Sequence, residues 1–105
     1  LHIPLEKRNL NFFSNEKFSS MKPKALFINT SRGSVADEKA LIKLLQSRYI
    51  SFAGLDVFIN EPEINNNFLT LENVILTNHI AGKTEEGISR ILTEILTKIN
   101  IFFNK

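Results

Sequence analysis

Ala25-Leu26-Phe27-Ile28 is an unbroken apolar run with no polar residue alternating through it. A strand of that kind reads as buried on both faces, which is the condition of a parallel sheet covered by helices. Phe52-Ala53-Gly54-Leu55-Asp56-Val57-Phe58 and Val74-Ile75-Leu76-Thr77 read as two more strands. Leu1-His2-Ile3-Pro4-Leu5 reads as a short first strand, ended by Pro4, which has no N–H for a central ladder. Between them lie helical stretches. Ser14 or Asn15 can cap a short helix over residues 15–21 that turns Phe18 and Met21 inward and stops at Pro23. Asp37 caps a helix over 37–47, with Glu38 near its positive dipole end and Ala40, Leu41, Leu44 and Leu45 on one face. A last helix over 84–103 carries an apolar stripe of Ile88, Ile91, Leu92, Ile95, Leu96 and Ile99, extended by Phe102 and Phe103. Residues 60–67 read as a polar loop. Buried strands alternating with amphipathic helices predict an α/β fold: four parallel strands, covered by the flanking helices.

The chain has 105 residues, enough for one domain or a piece of one. With 43% hydrophobic and 23% charged residues it is composed like a globular domain, which argues against disorder. The net charge is +2 and no Lys/Arg cluster runs beyond Lys7-Arg8, so a nucleic-acid partner is not expected. No apolar run approaches the ~18 residues of a membrane span. Cysteine is absent, which excludes disulfides and thiolate metal sites, and no metal site is expected. Residue 1 is Leu and already sits in a strand-like run, so a fragment of a longer protein is expected.

In parallel α/β sheets ligands sit beyond the carboxyl ends of the strands. Those ends carry His2 and Pro4, then Asn29-Thr30-Ser31-Arg32-Gly33, then Asp56 and Glu61-Pro62, then Thr77-Asn78-His79-Ile80-Ala81-Gly82. Taken singly, each has a plain structural role available. Arg32 can be a surface cation, Glu61 a solvated loop residue, His79 a satisfied structural histidine, and the glycines simple turn formers. Asp56 in an apolar strand is harder to set aside, since a buried carboxylate must be hydrogen-bonded. Gathered at one edge, the set has a definite chemistry. A carboxylate beside an imidazole favours the protonated ring, which can then exchange a proton near neutral pH. A guanidinium can hold a substrate carboxylate in a bidentate pair. Together they suit interconversion of a 2-keto acid and a 2-hydroxy acid, with a nicotinamide cofactor carrying the hydride.

These residues resemble the D-isomer-specific 2-hydroxyacid dehydrogenase family, in the carboxyl half of its nucleotide-binding domain. The stretches that carry the resemblance are His2-Ile3-Pro4-Leu5, Met21-Lys22-Pro23, Ile28-Asn29-Thr30-Ser31-Arg32-Gly33, Asp37-Glu38 onward to Leu45, Gly54-Leu55-Asp56-Val57-Phe58 with Glu61-Pro62, and Asn73-Val74-Ile75-Leu76-Thr77 with His79. The resemblance implies that residues 1–105 form the second half of a Rossmann-like parallel sheet with flanking helices. Arg32 would be the substrate-binding Arg, Glu61 the assisting Glu and His79 the acid/base His. Asp56 would face the nicotinamide carboxamide. His2, Pro4, Thr30, Ser31, Arg32, His79 and Gly82 would line the cofactor, NAD, with NADP left open. The implied parent is a cytoplasmic homodimer acting on a small 2-hydroxy or 2-keto acid. The stretch from Glu61 to Asn65, with that from His79 to Gly87, is similar to erythronate-4-phosphate dehydrogenases and compatible with phosphoglycerate dehydrogenases.

The chain departs from the family pattern at Asn78, where a Pro usually precedes the catalytic His and fixes the backbone. Ala36 replaces a commoner Val, and Asn9 stands near a usual Thr. None of these removes a chemical group from the implied site. The Gly-x-Gly-x-x-Gly turn and the separate substrate domain are not among these residues. A non-catalytic remnant, or an interaction module like the family-related corepressors, is therefore the alternative to an enzyme part. Retention of Arg32, Glu61 and His79 favours the enzyme lineage.

Overall fold

The computed structural model describes residues 1–104. Three strands form one parallel sheet in sequence order: β1 (Leu26–Asn29), β2 (Phe52–Leu55) and β3 (Val74–Leu76). Register runs Leu26 opposite Phe52, and Ala53 opposite Val74. The helices are α1 (Asn15–Ser19), α2 (Glu38–Gln46), α3 (Asn66–Leu69) and α4 (Glu85–Phe103).

The caps read from the sequence at Ser14 and Asp37 stand where expected, and Thr84 provides a third. The Ser14 hydroxyl accepts from the Lys17 N–H, the Asp37 carboxylate from the Ala40 N–H at 3.1 Å, and the Thr84 hydroxyl from the Gly87 N–H at 3.0 Å. Each occupies one of the orphan donors of a first helical turn. The core lies between one face of the sheet and α1 and α2. Phe27, Ala53 and Leu55 from the strands meet Phe18, Ala40, Leu41, Ile42 and Leu45 from the helices. Phe13, Phe18 and Phe27 form an aromatic cluster with ring centroids 4.9–5.3 Å apart. Full burial of one such ring is worth about 1.5–3 kcal/mol. Tyr49 donates its hydroxyl to Met21 O at 2.7 Å, tying the end of the first helical segment to the loop before β2.

Several expectations are corrected. Residues 1–5 form no strand. Pro4 lacks a donor, and the segment meets the free edge of β1 without building a ladder, through the Leu1 nitrogen, which donates to Ile28 O at 2.7 Å. The sheet thus has three strands among the described residues, not four. The strand read over 52–58 ends at Leu55, where the chain turns to bring Asp56 under the site. The strands are covered on one face only: Phe27 and Asn29 are buried while Leu26 and Ile28 are 66% and 58% exposed. The end of the expected 60–67 loop instead begins α3, capped by the Asn65 side chain and anchored by the buried Phe68. Finally, α4 does not cover the sheet. It buries no residue and extends the molecule to 58 Å along its long axis. Its stripe has the right period for packing, but among the described residues nothing buries it.

Candidate functional site

The carboxyl ends of the three strands converge, and each loop that leaves them is fixed by a specific contact. After β1, the buried Asn29 folds its own turn. Its Nδ2 donates to Arg32 O at 3.0 Å, and its Oδ1 accepts from the Ser31 N–H and hydroxyl at 3.1 and 3.0 Å. Gly33 then passes so close to the loop after β2 that a methyl group there would lie 2.0 Å from the Phe58 carbonyl carbon. Only glycine permits this approach. Arg32 is exposed, and its Nη1 donates to Ser31 O at 2.6 Å.

The loop after β2 is held by two carboxylates. Glu61 Oε1 accepts from the Phe58 N–H at 2.9 Å, and Glu38 Oε1, from the first turn of α2, accepts from the Ile59 N–H at 2.8 Å. Burial pushes the Glu38 carboxyl above its usual range, against the lowering effect of the Ile59 hydrogen bond.

Glu61 Oε2 lies 2.7 Å from His79 Nδ1. This contact holds the Glu61 carboxyl below the usual range, against some desolvation. The Phe58 N–H and the charges of His79 and Arg32 add to the effect. With Nδ1 engaged, Nε2 is the nitrogen left to exchange a proton. His79 has φ of 51°, in the left-handed region, and its N–H donates to Asp56 O at 2.8 Å.

Asp56 is 3% exposed. Burial works to raise its pKa, but hydrogen bonds from the Thr77 hydroxyl and the Ile80 and Ala81 N–H groups, with the His79 charge, outweigh it and hold the carboxyl low.

Two clefts open on this edge. One, of about 420 Å³, is lined by His2, Ile3, Pro4, Leu5, Ser31 and Arg32. The other, of about 370 Å³, has a largely apolar floor of Ile28, Gly54 and Ile75, with Thr30, Asp56, Thr77 and Ala81 at its rim. The residues read from the sequence thus fall into three adjoining groups. His2, Pro4, Ser31 and Arg32 share the first cleft, Thr30 and Asp56 the second, and Glu61 and His79 form a direct pair. Gly82 lines neither cleft and its Cα faces open space. Sequence reasoning did not single out Asn29 or Thr77 as side chains that shape the site. The only available signal was a polar residue at the end of each apolar strand.

A nicotinamide cofactor fits this donor set in part. The second cleft offers an apolar floor with polar groups at one rim, suited to a flat ring bearing an amide. A glycine-rich phosphate-binding turn is not among these residues.

A parallel α/β sheet with polar side chains gathered at its carboxyl edge has the form of a nucleotide-binding unit. Comparison with known proteins specifies it. Residues 1–81 match the family "D-isomer specific 2-hydroxyacid dehydrogenase, NAD binding domain", and the chain belongs to that family. It is 43% identical over 105 residues to a glyoxylate reductase of Thermococcus litoralis, covering 100% of this chain and 31% of that protein. It is 42% identical over 92 residues to an (S)-sulfolactate dehydrogenase of Chromohalobacter salexigens, covering 87% of this chain and 30% of that protein. Among solved structures, the apo D-mandelate dehydrogenase of Rhodotorula graminis aligns with a TM-score of 0.86 at 33% identity, over 93% of this chain and 28% of that one. The chain therefore spans about a third of the length of the curated relatives it matches.

Proposed function

We propose that residues 1–105 are the part of an NAD(P)-dependent 2-hydroxyacid dehydrogenase that supplies its acid/base pair and its substrate-binding arginine. The observation that carries the reading is the 2.7 Å contact between Glu61 Oε2 and His79 Nδ1 at the carboxyl edge of a parallel sheet, with Arg32 close enough for its charge to act on Glu61. In the direction of reduction, the Arg32 guanidinium holds the carboxylate of a small 2-keto acid. His79 Nε2 gives its proton to the carbonyl oxygen as that oxygen becomes a hydroxyl, and takes it back in oxidation. Glu61 fixes the ring through Nδ1 and offsets its charge. The bound nicotinamide cofactor supplies or accepts the hydride. His2, Pro4, Thr30, Ser31, Asp56 and Gly82 belong to the cofactor side of this edge. The compartment proposed is the cytoplasm. Among the described residues no helix is long and apolar enough to cross a membrane. The intact enzyme is proposed to be a homodimer, a state for which the exposed apolar faces of this chain leave room.

The test is a chimera in which this chain replaces the matching third of the Thermococcus litoralis glyoxylate reductase. The expected result is a folded protein that reduces 2-keto acids and loses that activity in His79→Gln. A chimera that folds and binds cofactor yet turns over no 2-keto acid would overturn the reading and favour the non-catalytic alternative.

A further inference from the structure

We propose that Asp56, locked to Thr77, is a positioning residue: it holds residues 77–81 so that the His79 ring meets Glu61. This rests on the proposed function, since it concerns the same histidine. Every contact needed is present. Asp56 Oδ1 accepts from Thr77 Oγ1 at 2.5 Å and from the Ile80 N–H at 2.9 Å, and Oδ2 accepts from the Ala81 N–H at 2.9 Å. The Asp56 backbone completes the frame. Its carbonyl accepts from the His79 N–H at 2.8 Å and its own N–H donates to Asn29 O at 3.0 Å. One buried residue thus grips Thr77, His79, Ile80 and Ala81, and anchors them to the end of β1.

The grip has a job to do because the loop is not held by its own backbone. His79 sits at φ 51°, a conformation unfavourable for any residue with a Cβ. Asn78 carries no ring to restrain φ, so the entry to His79 is fixed only at Thr77, by its N–H on Leu55 O at 2.9 Å and its hydroxyl on Asp56. Release of the carboxylate frees residues 79–81 to relax toward ordinary backbone angles, and the ring then leaves Glu61. The charged groups facing His79 are Asp56 and Glu61, with Arg32 acting on Glu61. The Thr77 side chain reaches the His79 loop through Asp56, and its hydroxyl is the donor that orients the carboxylate.

The Glu61 carboxyl reports the geometry, because its contact with His79 is the main reason its titration lies low. The experiment follows that titration by carboxyl carbon NMR in the full 105-residue chain. Four variants are compared: Asp56→Asn, Thr77→Val, Thr77→Ser and His79→Gln. Sheet amides of β1 and β2 report that each variant is folded. His79→Gln is expected to move the Glu61 titration up toward the ordinary carboxylate range. Thr77→Val is expected to move it in the same direction, and Thr77→Ser, which keeps the hydroxyl, to leave it in place. Asp56→Asn is expected to move it up as well. Removal of the Asp56 negative charge alone would move it down, so an upward shift reads the lost contact rather than the lost charge. The Ile80 and Ala81 amides are expected to exchange with solvent roughly tenfold faster in Asp56→Asn, as charge-assisted hydrogen bonds are lost. If Asp56→Asn does not fold, the contrast between the two Thr77 variants decides. An upward shift in His79→Gln with none in Thr77→Val overturns the proposal and leaves the proposed function intact. No shift in His79→Gln removes the Glu61–His79 pair, and the proposed function with it.

Discussion

His79 Nδ1 and Glu61 Oε2 stand 2.7 Å apart although 18 residues separate them in sequence, because the loops after β2 and β3 close on each other over Asp56. The pairing predicts a kinetic signature in the chimeric reductase. Glu61→Gln puts a neutral amide at His79 Nδ1 and is expected to lower kcat, by less than loss of the ring itself, with little change in cofactor affinity. His79→Gln is expected to lower kcat by about 10²–10⁴-fold with little change in cofactor affinity. An unchanged kcat in Glu61→Gln would reduce Glu61 to a structural loop residue.

Stability is expected to depend on pH through two carboxylates that act in opposite directions. Asp56 has its folded-state pKa held below that of the unfolded chain. Its contribution is present above about pH 4 and is lost as pH falls through the folded value. Glu38 is raised by burial, so its ionisation opposes folding above its unfolded pKa, and acidification through its raised value relieves that opposition. Urea midpoints at pH 6 and pH 3 separate the two. Asp56→Asn is expected to cost about 1–3 kcal/mol at pH 6 and to lose less than the parent chain on acidification. Glu38→Gln is expected to lose more. Equal acid losses in all three proteins would contradict both assignments.

Two glycines give a matched comparison of close approach against open space. A Cβ on Gly33 would meet the Phe58 and Ile59 backbone at 2.0–2.5 Å, which no side-chain rotation relieves. Gly33→Ala is expected to destabilise by ~1–3 kcal/mol or more and to push the Arg32 turn away from the Glu61 loop. A Cβ on Gly82 meets nothing within 4 Å, and Gly82 does not have positive φ. Gly82→Ala is expected to change stability by less than about 1 kcal/mol, in the stabilising direction through the unfolded chain. Denaturant midpoints with unchanged slopes check both. Similar losses at the two positions would mean that the Gly33 contact is relieved by backbone movement.

The parts of this structure legible in sequence are those governed by local chemistry. The caps at Ser14 and Asp37 need only a side-chain oxygen before a helical stretch. The three strands need only short apolar runs. What the sequence did not carry is which surface lies against each run. Leu26 and Ile28 look the same as Phe27 in an unbroken apolar run, yet they are exposed because no layer covers their face. Residues 1–5 have strand composition, but Pro4 offers no donor and only the Leu1 nitrogen reaches β1, at Ile28 O. For the site, the residue types Arg32, Glu61 and His79 and their placement at strand ends were readable. The grip of Asp56 on Thr77, Ile80 and Ala81 was not, because two of its three partners are backbone N–H groups that any residue would provide.

The final expectation concerns the surfaces that stay uncovered. Along α4, Ile88, Ile91, Leu92, Ile95, Leu96 and Ile99 are each about half exposed, from 48% to 65%. Across the open face of the sheet, Leu26, Ile28 and Ile75 are 58–66% exposed. Apolar patches of this size favour association in water. The 105-residue chain is therefore expected to self-associate with increasing concentration in sedimentation velocity. Ile91→Glu combined with Ile95→Lys breaks the α4 stripe while placing an acid four residues before a base, a favourable pair on an exposed helix. Because α4 buries no residue, these changes open no cavity in the core. The double variant is expected to sediment as a monomer at concentrations where the parent chain does not, with little change in its melt. Association that survives in the double variant but is lost in Ile75→Lys would assign the contact to the open sheet face. A parent chain that stays monomeric at all concentrations, with a sharp cooperative melt, would show that neither face drives association.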